Sequence, residues 1–171
     1  MSVPVYKRNQ SRFEVLHKAF ILRRSIMKLI FINFGFSNIK NGSNNTVYYQ
    51  GTGLENVTEF LKKEREYISN ILRNISSNIQ KANKIFPTNT EELTQRRLYQ
   101  DYAIADCFDL QVEMQFCAET VDGINVNVLL NYVKDIEEEI LLLKAWRKSD
   151  NKIRKTLENK NKNKIVNPFF N

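Results

Sequence analysis

The chain has 171 residues, of which 42% are hydrophobic and 26% are charged, and its formal net charge is +7. This composition excludes wholesale disorder, and the length suits one domain with a single core. Only five glycines and three prolines are present. Because many short strands would need more turn residues than this, the composition favours long helices.

The first predicted helix covers roughly residues 12 to 34. Ser11 and Glu14 form a capping-box pattern that favours a helix start. The predicted apolar seam of this helix is Phe13, Leu16, Phe20, Met27, Ile30 and Phe34. Gly35 is expected to end the helix, and residues 35–53 form a long loop rich in glycine and asparagine. The loop is longer than usual bundle connections, so it is either functional or poorly ordered.

The second helix is predicted to start at a capping box formed by Thr52 and Glu55 and to end near Ile85. Its seam has a regular three–four spacing: Val57, Leu61, Ile68, Ile71, Ile75, Ile79 and Ala82. Pro87 ends this pattern because proline disfavours helical backbone in the residue before it. The polar residues 88–90 then supply the cap of a third helix.

The third helix is predicted to begin near Glu91 and to close at Asp122-Gly123. Its seam is Ala103, Cys107, Leu110, Met114, Cys117 and Val121, widened by Ile104 and Phe108. The fourth helix begins at Asn127. Its seam is Leu129, Val133, Ile136, Ile140, Leu143 and Trp146.

Four helices joined by two short turns and one long loop predict an all-α fold, an antiparallel up-down-up-down four-helix bundle, because short connections force neighbouring helices to lie antiparallel. A coiled coil is the alternative for single seams. We expect the bundle to occupy residues 1–156 and a basic tail rich in Asn and Lys to occupy residues 157–171.

The second half of the first helix is apolar nearly all round, so its own bundle cannot cover every side chain. Either the long loop or another subunit must cover the remainder. We therefore predict an oligomer interface at Leu29, Ile30, Phe31, Ile32 and Phe34.

A cytoplasmic location without a membrane partner is also predicted. The apolar run from Ile26 to Phe36 is shorter than the roughly 20 residues that span a bilayer. Cys107 and Cys117 lie about 15 Å apart along one predicted helix, which forbids a disulfide between them. This usage suits a reducing compartment.

Charge is distributed unevenly along the chain: residues 1–28 carry +6, residues 29–143 carry −6 and residues 144–171 carry +7. In an antiparallel bundle the basic segments meet at one end, whereas Glu55, Glu59, Glu119 and Asp122 form an acidic rim at the other. Clustered Lys and Arg release counterions from a phosphate backbone, which favours nucleic-acid binding. The candidate contacts are Lys7, Arg8, Arg12, Arg96, Arg97, Arg147, Lys148, Lys152, Arg154 and Lys155.

Two alternatives to nucleic-acid binding stay open for this basic end: an acidic protein partner, or no specific role. Cations such as Lys81, Lys84, Arg147 and Lys148 in last helical turns interact favourably with the helix dipole without any ligand. The dipole is unfavourable to Arg96 and Arg97 in a first turn, so a ligand or an acidic neighbour accounts for these two better.

Catalytic chemistry is not legible in the sequence. His17 is the single histidine, whereas a diiron bundle needs a Glu-x-x-His pair on each of two helices. Neither cysteine has a spacing typical of zinc sites, and the sequence contains no glycine-rich phosphate loop. The acidic run 135–139 is interpreted as a solvated helix face. We therefore predict no enzyme, no metal, no cofactor and no small-molecule substrate.

Four stretches carry a family resemblance: residues 2–19 with Tyr6-Lys7-Arg8 and Phe13-Glu14-Val15-Leu16, then Lys81-Ala82-Asn83, Arg96-Arg97 with Tyr99-Gln100, and Leu143-Lys144 before Trp146-Arg147-Lys148-Ser149-Asp150. They resemble the bacterial and phage four-helix-bundle superfamily that contains the accessory variability protein of diversity-generating retroelements and the rRNA intervening-sequence proteins. The resemblance covers most of the chain apart from the 35–53 loop and the tail after about residue 156.

The resemblance implies a homopentamer that binds nucleic acid and the retroelement reverse transcriptase. The basic positions that match are Lys7, Arg8, Arg12, Arg96, Arg97, Arg147 and Lys148. The expected function is a noncatalytic nucleic-acid-binding accessory protein of a reverse transcriptase, with RNA and DNA not distinguished. The alternative is a protein-interaction adaptor or a phage or bacterial structural bundle with an acidic protein partner, and a third option is association with the ribosome or structured RNA.

Overall fold

The computed structural model describes residues 5–32, 34 and 54–166, and it describes side chains for residues 14–32, 34 and 57–159. Four helices occupy most of these ranges: α1 (Val5–Ile32), α2 (Leu54–Lys84), α3 (Thr90–Thr120) and α4 (Val126–Val166). No β-strand occurs in them, which confirms the predicted all-α class. The 35–53 loop lies outside the described residues.

The helices surround a single core. α2 packs against α1 and α3, and α4 packs against α3 and α1, whereas the described parts of α1 and α3, and of α2 and α4, make no direct backbone contact. Each helix therefore has two neighbours, as in a helical bundle. None of the helices, over the residues described, is both long and apolar enough to cross a membrane.

The predicted seams of α2, α3 and α4 are largely confirmed. All six α3 seam residues from Ala103 to Val121 are buried, as are most of those predicted in α2 and α4. Of the two residues predicted to widen the α3 seam, Ile104 packs half-buried against the core, whereas Phe108 is wrong because it is 44% exposed.

The predicted seam of α1 is correct at Ile30 and Phe34, which are buried, and partly correct at Leu16 and Met27, which pack half-buried against the core. It is wrong at Phe20, which is 43% exposed, and the fully buried residues before Leu29 are Val15, Ala19, Leu22 and Ile26. The side chain of Phe13 lies outside the described residues. Residues 19–22 are apolar at every angle around the helix. The spacing of apolar residues therefore does not define the buried face, and the packing of the neighbouring helices does.

The turn between α2 and α3 contains the predicted helix cap. The Asn89 side chain accepts a hydrogen bond from the Glu92 N–H at 2.9 Å. The Glu92 carboxylate in turn accepts hydrogen bonds from the Thr88 N–H at 2.7 Å and the Thr88 hydroxyl at 2.9 Å. The bond to Asn89 satisfies one of the backbone donors that the first helical turn leaves unpaired, and the bonds from Thr88 hold the Glu92 carboxylate against the turn before the helix.

The end of α1 has a cap that the sequence pattern did not reveal. Phe34 has a positive φ of 49°, and its N–H donates to the Leu29 carbonyl at 2.8 Å. Arg65 of α2 donates from Nε to the Ile30 carbonyl at 2.6 Å, and its guanidinium lies 5.8 Å from the centroid of the buried Phe34 ring. A cation from the neighbouring helix therefore satisfies a terminal carbonyl of α1.

α4 is longer than predicted. Residue 156, the predicted boundary between bundle and tail, lies within α4, which continues to Val166, and Leu157 is buried. The predicted seam stopped at Trp146, and the next seam position is the charged residue Asp150. Asp150 is only 1% exposed, so the seam continues through a buried carboxylate to Leu157.

Candidate nucleic-acid interface

Arg96 is the first of the predicted contacts on α3, and the structure places it inside the bundle. Its side chain is 0% exposed. Nε donates to Asp150 Oδ2 at 2.7 Å and Nη2 donates to Asp150 Oδ1 at 3.1 Å, while Nη1 donates to the Ile85 carbonyl at 2.9 Å. An acidic neighbour thus accounts for this arginine, and the predicted role of Arg96 as a surface phosphate contact does not fit its burial.

The Arg96–Asp150 pair has two further neighbours. Gln100 donates from Nε2 to Asp150 Oδ2 at 3.0 Å, and the Arg96 guanidinium lies 5.2 Å from the Trp146 ring centroid, a cation–π distance. Gln100 Oε1 and Trp146 Nε1 are buried without hydrogen-bond partners among the described residues. This cluster joins the start of α3 to the second half of α4.

Three other arginines line a groove between α3 and α4, which we call the basic groove. Its volume is about 290 Å³, and its lining residues are Thr90, Leu93, Thr94, Arg97, Leu98, Asp101, Arg147 and Arg154. Arg97 donates from Nη1 to Asn151 Oδ1 at 2.8 Å, and Arg147 donates from Nη2 to Asp101 Oδ2 at 2.9 Å. The three positive charges exceed the negative charges of Asp101 in the lining and of Glu158 beside Arg154, so the groove keeps a net positive charge.

The guanidinium of Arg97 donates to the neutral amide of Asn151 rather than to a carboxylate. The positive charge of Arg147 is partly compensated by Asp101. The guanidinium of Arg154 lies 3.5 Å from the carboxylate of Glu158 in an exposed pair. Exposed pairs of this kind are weak and are readily exchanged for another anion. Arg97 and Arg154 are therefore the groove arginines best placed to bind phosphate.

Lys148, Lys152 and Lys155 form a second positive feature, which we call the lysine row. All three are exposed, and their spacing of four and three residues places them on one face of α4. They follow Arg147, Asn151 and Arg154 by one residue each, so the lysine row runs beside the basic groove. Lys81 also reaches this end of the molecule, because its ammonium lies 5.5 Å from the Tyr99 ring centroid on α3.

The remaining predicted contacts lie on the first turns of α1. Lys7, Arg8 and Arg12 are in the helix, but their side chains lie outside the described residues. At the opposite end of α2 and α3, Glu59, Glu119 and Asp122 are exposed, and the side chain of Glu55 lies outside the described residues.

The predicted oligomer interface divides into two groups. Leu29, Ile30 and Phe34 are buried in the core of the chain itself, whereas Phe31 is 63% and Ile32 is 67% exposed. Only the latter two offer apolar surface to another subunit. A row of exposed apolar residues on α3, which the sequence pattern did not reveal, offers more: Leu98, Tyr102, Val112 and Phe116.

Glu139 is a buried carboxylate that the sequence-based prediction assigned to a solvated face. Its side chain is 0% exposed, and both carboxylate oxygens lack a hydrogen-bond partner within the described residues. Burial raises the pKa of Glu139 to about 8, and the positive charge of Lys18 opposes this effect. The acid is therefore mostly protonated at neutral pH. The neighbouring acids 137 and 138 are exposed, so the assignment was correct for them.

Comparisons of the chain with protein-family models, with curated proteins and with solved structures find no match. The proposed function is therefore based on the basic groove and the lysine row.

Proposed function

We propose that this chain is a noncatalytic nucleic-acid-binding protein whose contact surface consists of the basic groove and the lysine row. The observation that carries the proposal is the grouping of Arg97, Arg147 and Arg154 around one groove, with three exposed lysines on the adjacent face of α4. Guanidinium groups bind phosphate oxygens through two parallel hydrogen bonds, and ammonium groups bind them as point charges.

Preorganisation supports this surface. The hydrogen bond from Arg97 to Asn151 restrains the guanidinium before any ligand arrives, which lowers the entropy lost on binding. Contacts of this kind read the charge and spacing of phosphates rather than base identity. Binding is therefore expected to be largely independent of sequence and steeply dependent on salt.

An antiparallel up-down-up-down arrangement is part of the proposal, because it brings the basic segments to one end. Contacts between α2 and α3 pair Phe60 with Phe116 and Asn78 with Asp106, so later residues of one helix meet earlier residues of the other. The same order relates α3 to α4, where Asp101 pairs with Arg147 and Phe108 with Lys144.

The family resemblance supports a narrower function. On that basis we propose that the chain is a cytoplasmic accessory protein of a reverse transcriptase and assembles as a homopentamer. The exposed side chains of Phe31 and Ile32, with the apolar row on α3, supply surface for such an assembly.

An acidic protein partner is the second candidate. The pairing of Arg147 with Asp101 shows that the groove accommodates a carboxylate, and Leu98 provides an exposed apolar contact beside it. An acidic peptide would use both features, whereas a nucleic acid would use the arginines and the lysine row.

The test is a fluorescence anisotropy titration with labelled RNA, single-stranded DNA and duplex DNA at several salt concentrations. A variant with Arg97, Lys148, Lys152 and Lys155 replaced by Glu should lose at least about tenfold in affinity for nucleic acid. Lys62→Glu/Lys63→Glu, at two exposed positions of α2, is the control and should bind nearly as wild type. If both variants bind equally well, or wild type prefers an acidic peptide, the nucleic-acid proposal fails.

A further inference from the structure

A second cluster of titratable side chains lies between α2 and α3, well away from the basic groove. Glu64 on α2 and Glu113 and Cys117 on α3 each offer one donor atom, and these atoms all lie within 4.8 Å of one another. Arg97 in the basic groove is 16 residues from Glu113, or about 24 Å along the α3 axis. The two sites are therefore physically separate.

Helical spacing explains two of the three donors. Glu113 and Cys117 are four residues apart on α3, so their side chains lie on one face, one turn apart. This is the spacing at which a helix supplies two ligands to one metal ion. Glu64 completes the group from α2, which packs against α3 along this region, as the contact between Phe60 and Phe116 shows.

Two of the donors are buried. The Cys117 side chain is 0% exposed, and the cysteine forms no disulfide. Oε2 of Glu64 is also buried without a hydrogen-bond partner in the part of the chain that the structure describes. Burial, a hydrogen bond with the side chain of Glu64 and the negative charge of Glu64 together raise the pKa of Glu113 to about 7. Two acids held this close require a proton or a cation between them.

We propose that Glu64, Glu113 and Cys117 form a binding site for a divalent transition-metal ion, with zinc as the preferred ion. A thiolate with two carboxylates suits zinc rather than calcium or magnesium, which prefer oxygen ligands alone. Three protein ligands leave a fourth tetrahedral position for water. Binding breaks the S–H bond of Cys117 and displaces the proton that Glu64 and Glu113 share. Both protons pass to solvent, and the sulfur and the carboxylate oxygens form bonds to the metal.

The geometry needs only a small adjustment. Ligand atoms of a tetrahedral zinc site lie about 3.5 Å apart, given bonds of about 2.0 to 2.3 Å. The separation of up to 4.8 Å in this cluster must therefore shorten by roughly 1 Å, which rotation of the two half-buried glutamate side chains supplies. Exposed Glu59, Glu119 and Asp122 on the same helices and the turn after α3 provide a negative field that attracts cations toward the cluster.

Cobalt(II) is the probe, because a thiolate bound to cobalt produces a charge-transfer absorption in the near ultraviolet. The reduced full-length chain should bind one cobalt ion with this absorption, and zinc should displace it. Cys117→Ala should abolish the absorption, and Cys107→Ala, which removes the other buried cysteine, should retain it. Glu64→Gln and Glu113→Gln preserve packing volume and should weaken cobalt binding by about tenfold or more.

Circular dichroism of each variant shows that the helices are intact. Absence of the charge-transfer band from wild type overturns the proposal, as does its survival in Cys117→Ala. If the glutamine variants are folded and bind cobalt as wild type does, the cluster is a proton-sharing carboxyl pair and the metal site is rejected.

Discussion

Arg96 of α3 and Asp150 of α4 form a fully buried, bidentate ion pair that ties the start of one helix to the later part of another. The exposed fractions of the two side chains are 0% and 1%, and the shortest N–O distance is 2.7 Å. Arg96 also donates from Nη1 to the Ile85 carbonyl. A buried pair of this kind fixes the relative register of two helices, because any slip would leave two charges without partners.

Removal of one partner from this pair should strongly destabilise the chain. Asp150→Ala leaves the Arg96 guanidinium buried without a counter-charge, and we expect a loss of about 3 to 5 kcal/mol in the free energy of unfolding. Urea denaturation monitored by circular dichroism measures this loss. Arg96→Met/Asp150→Leu should recover most of it, because apolar residues of similar size need no counter-charge.

The exposed pair of Lys18 and Glu138, 2.6 Å apart, is the control for this experiment. Lys18→Ala should cost less than about 1 kcal/mol because solvent screens the pair. A similarly small cost for Asp150→Ala would contradict the structural role of the buried pair.

Glu139 should make stability depend on pH. Its pKa in the folded chain is about 8, above the ordinary value of 4.5, so the folded state binds the proton more tightly than the unfolded state does. The folded state therefore benefits from protonation at low pH and loses this advantage as the pH rises from about 4.5 to 8. We expect wild type to lose on the order of 3 kcal/mol relative to Glu139→Gln between about pH 5 and pH 8.

Urea denaturation of both proteins across this range provides the measurement. Glu137→Gln, at an exposed position on the same turn, is the matched control and should follow the wild-type pH profile. If the free energies of unfolding of wild type and Glu139→Gln differ by the same amount at every pH, the Glu139 carboxylate is not desolvated in solution.

Single alanine substitutions in the lysine row should change the salt dependence of nucleic-acid binding. Each lost phosphate contact lowers the slope of log affinity against log salt by about 0.7 to 0.9. Lys152→Ala should therefore reduce the slope by nearly one unit, and Lys63→Ala on α2 should leave it unchanged. Equal slopes for all three proteins would place the phosphate contacts elsewhere on the molecule.

The exposed end of α1 should contribute to self-association. Phe31→Ser/Ile32→Ser removes apolar surface that is exposed in the single chain, so it should lower the oligomer mass without unfolding the bundle. Light scattering at micromolar concentration measures the mass. Leu141→Ser, at a position 66% exposed on α4, is the control. A monomeric mass for the wild type would contradict the proposed assembly. An unchanged oligomer mass for the double variant would show that the interface lies on another face, such as the apolar row on α3.

Loss of the α3 cap should have a modest and specific cost. Asn89→Ala removes the acceptor of the Glu92 N–H and should lower the free energy of unfolding by about 1 kcal/mol. The same urea experiment measures it, with Thr94→Ala as a control because Thr94 bonds to the carbonyl of Thr90 within the same helix. If the two substitutions cost the same, the cap adds nothing specific.

Local sequence was enough to predict the all-α class, the positions of α2 and α3, and most of their buried faces. These features depend on short-range physics: the three–four spacing of Leu, Ile and Cys, the cap at Asn89, and Gly123, whose φ of 92° suits glycine. The concentration of charge after residue 144 was equally legible, because charge is a property of composition and needs no fold.

Which charges face solvent, by contrast, depends on how the helices pack. Arg96 and Arg97 are adjacent and identical in sequence, yet one is buried against Asp150 and the other lines a groove with Asn151. Likewise, Glu138 is exposed whereas the adjacent Glu139 is buried. Neighbouring residues on a helix point about 100° apart, and the Asp150 carboxylate that makes burial of Arg96 tolerable lies 54 residues away along the chain. Local spacing contains no information about that distant partner, so packing alone decides which of these charges are buried and which face solvent.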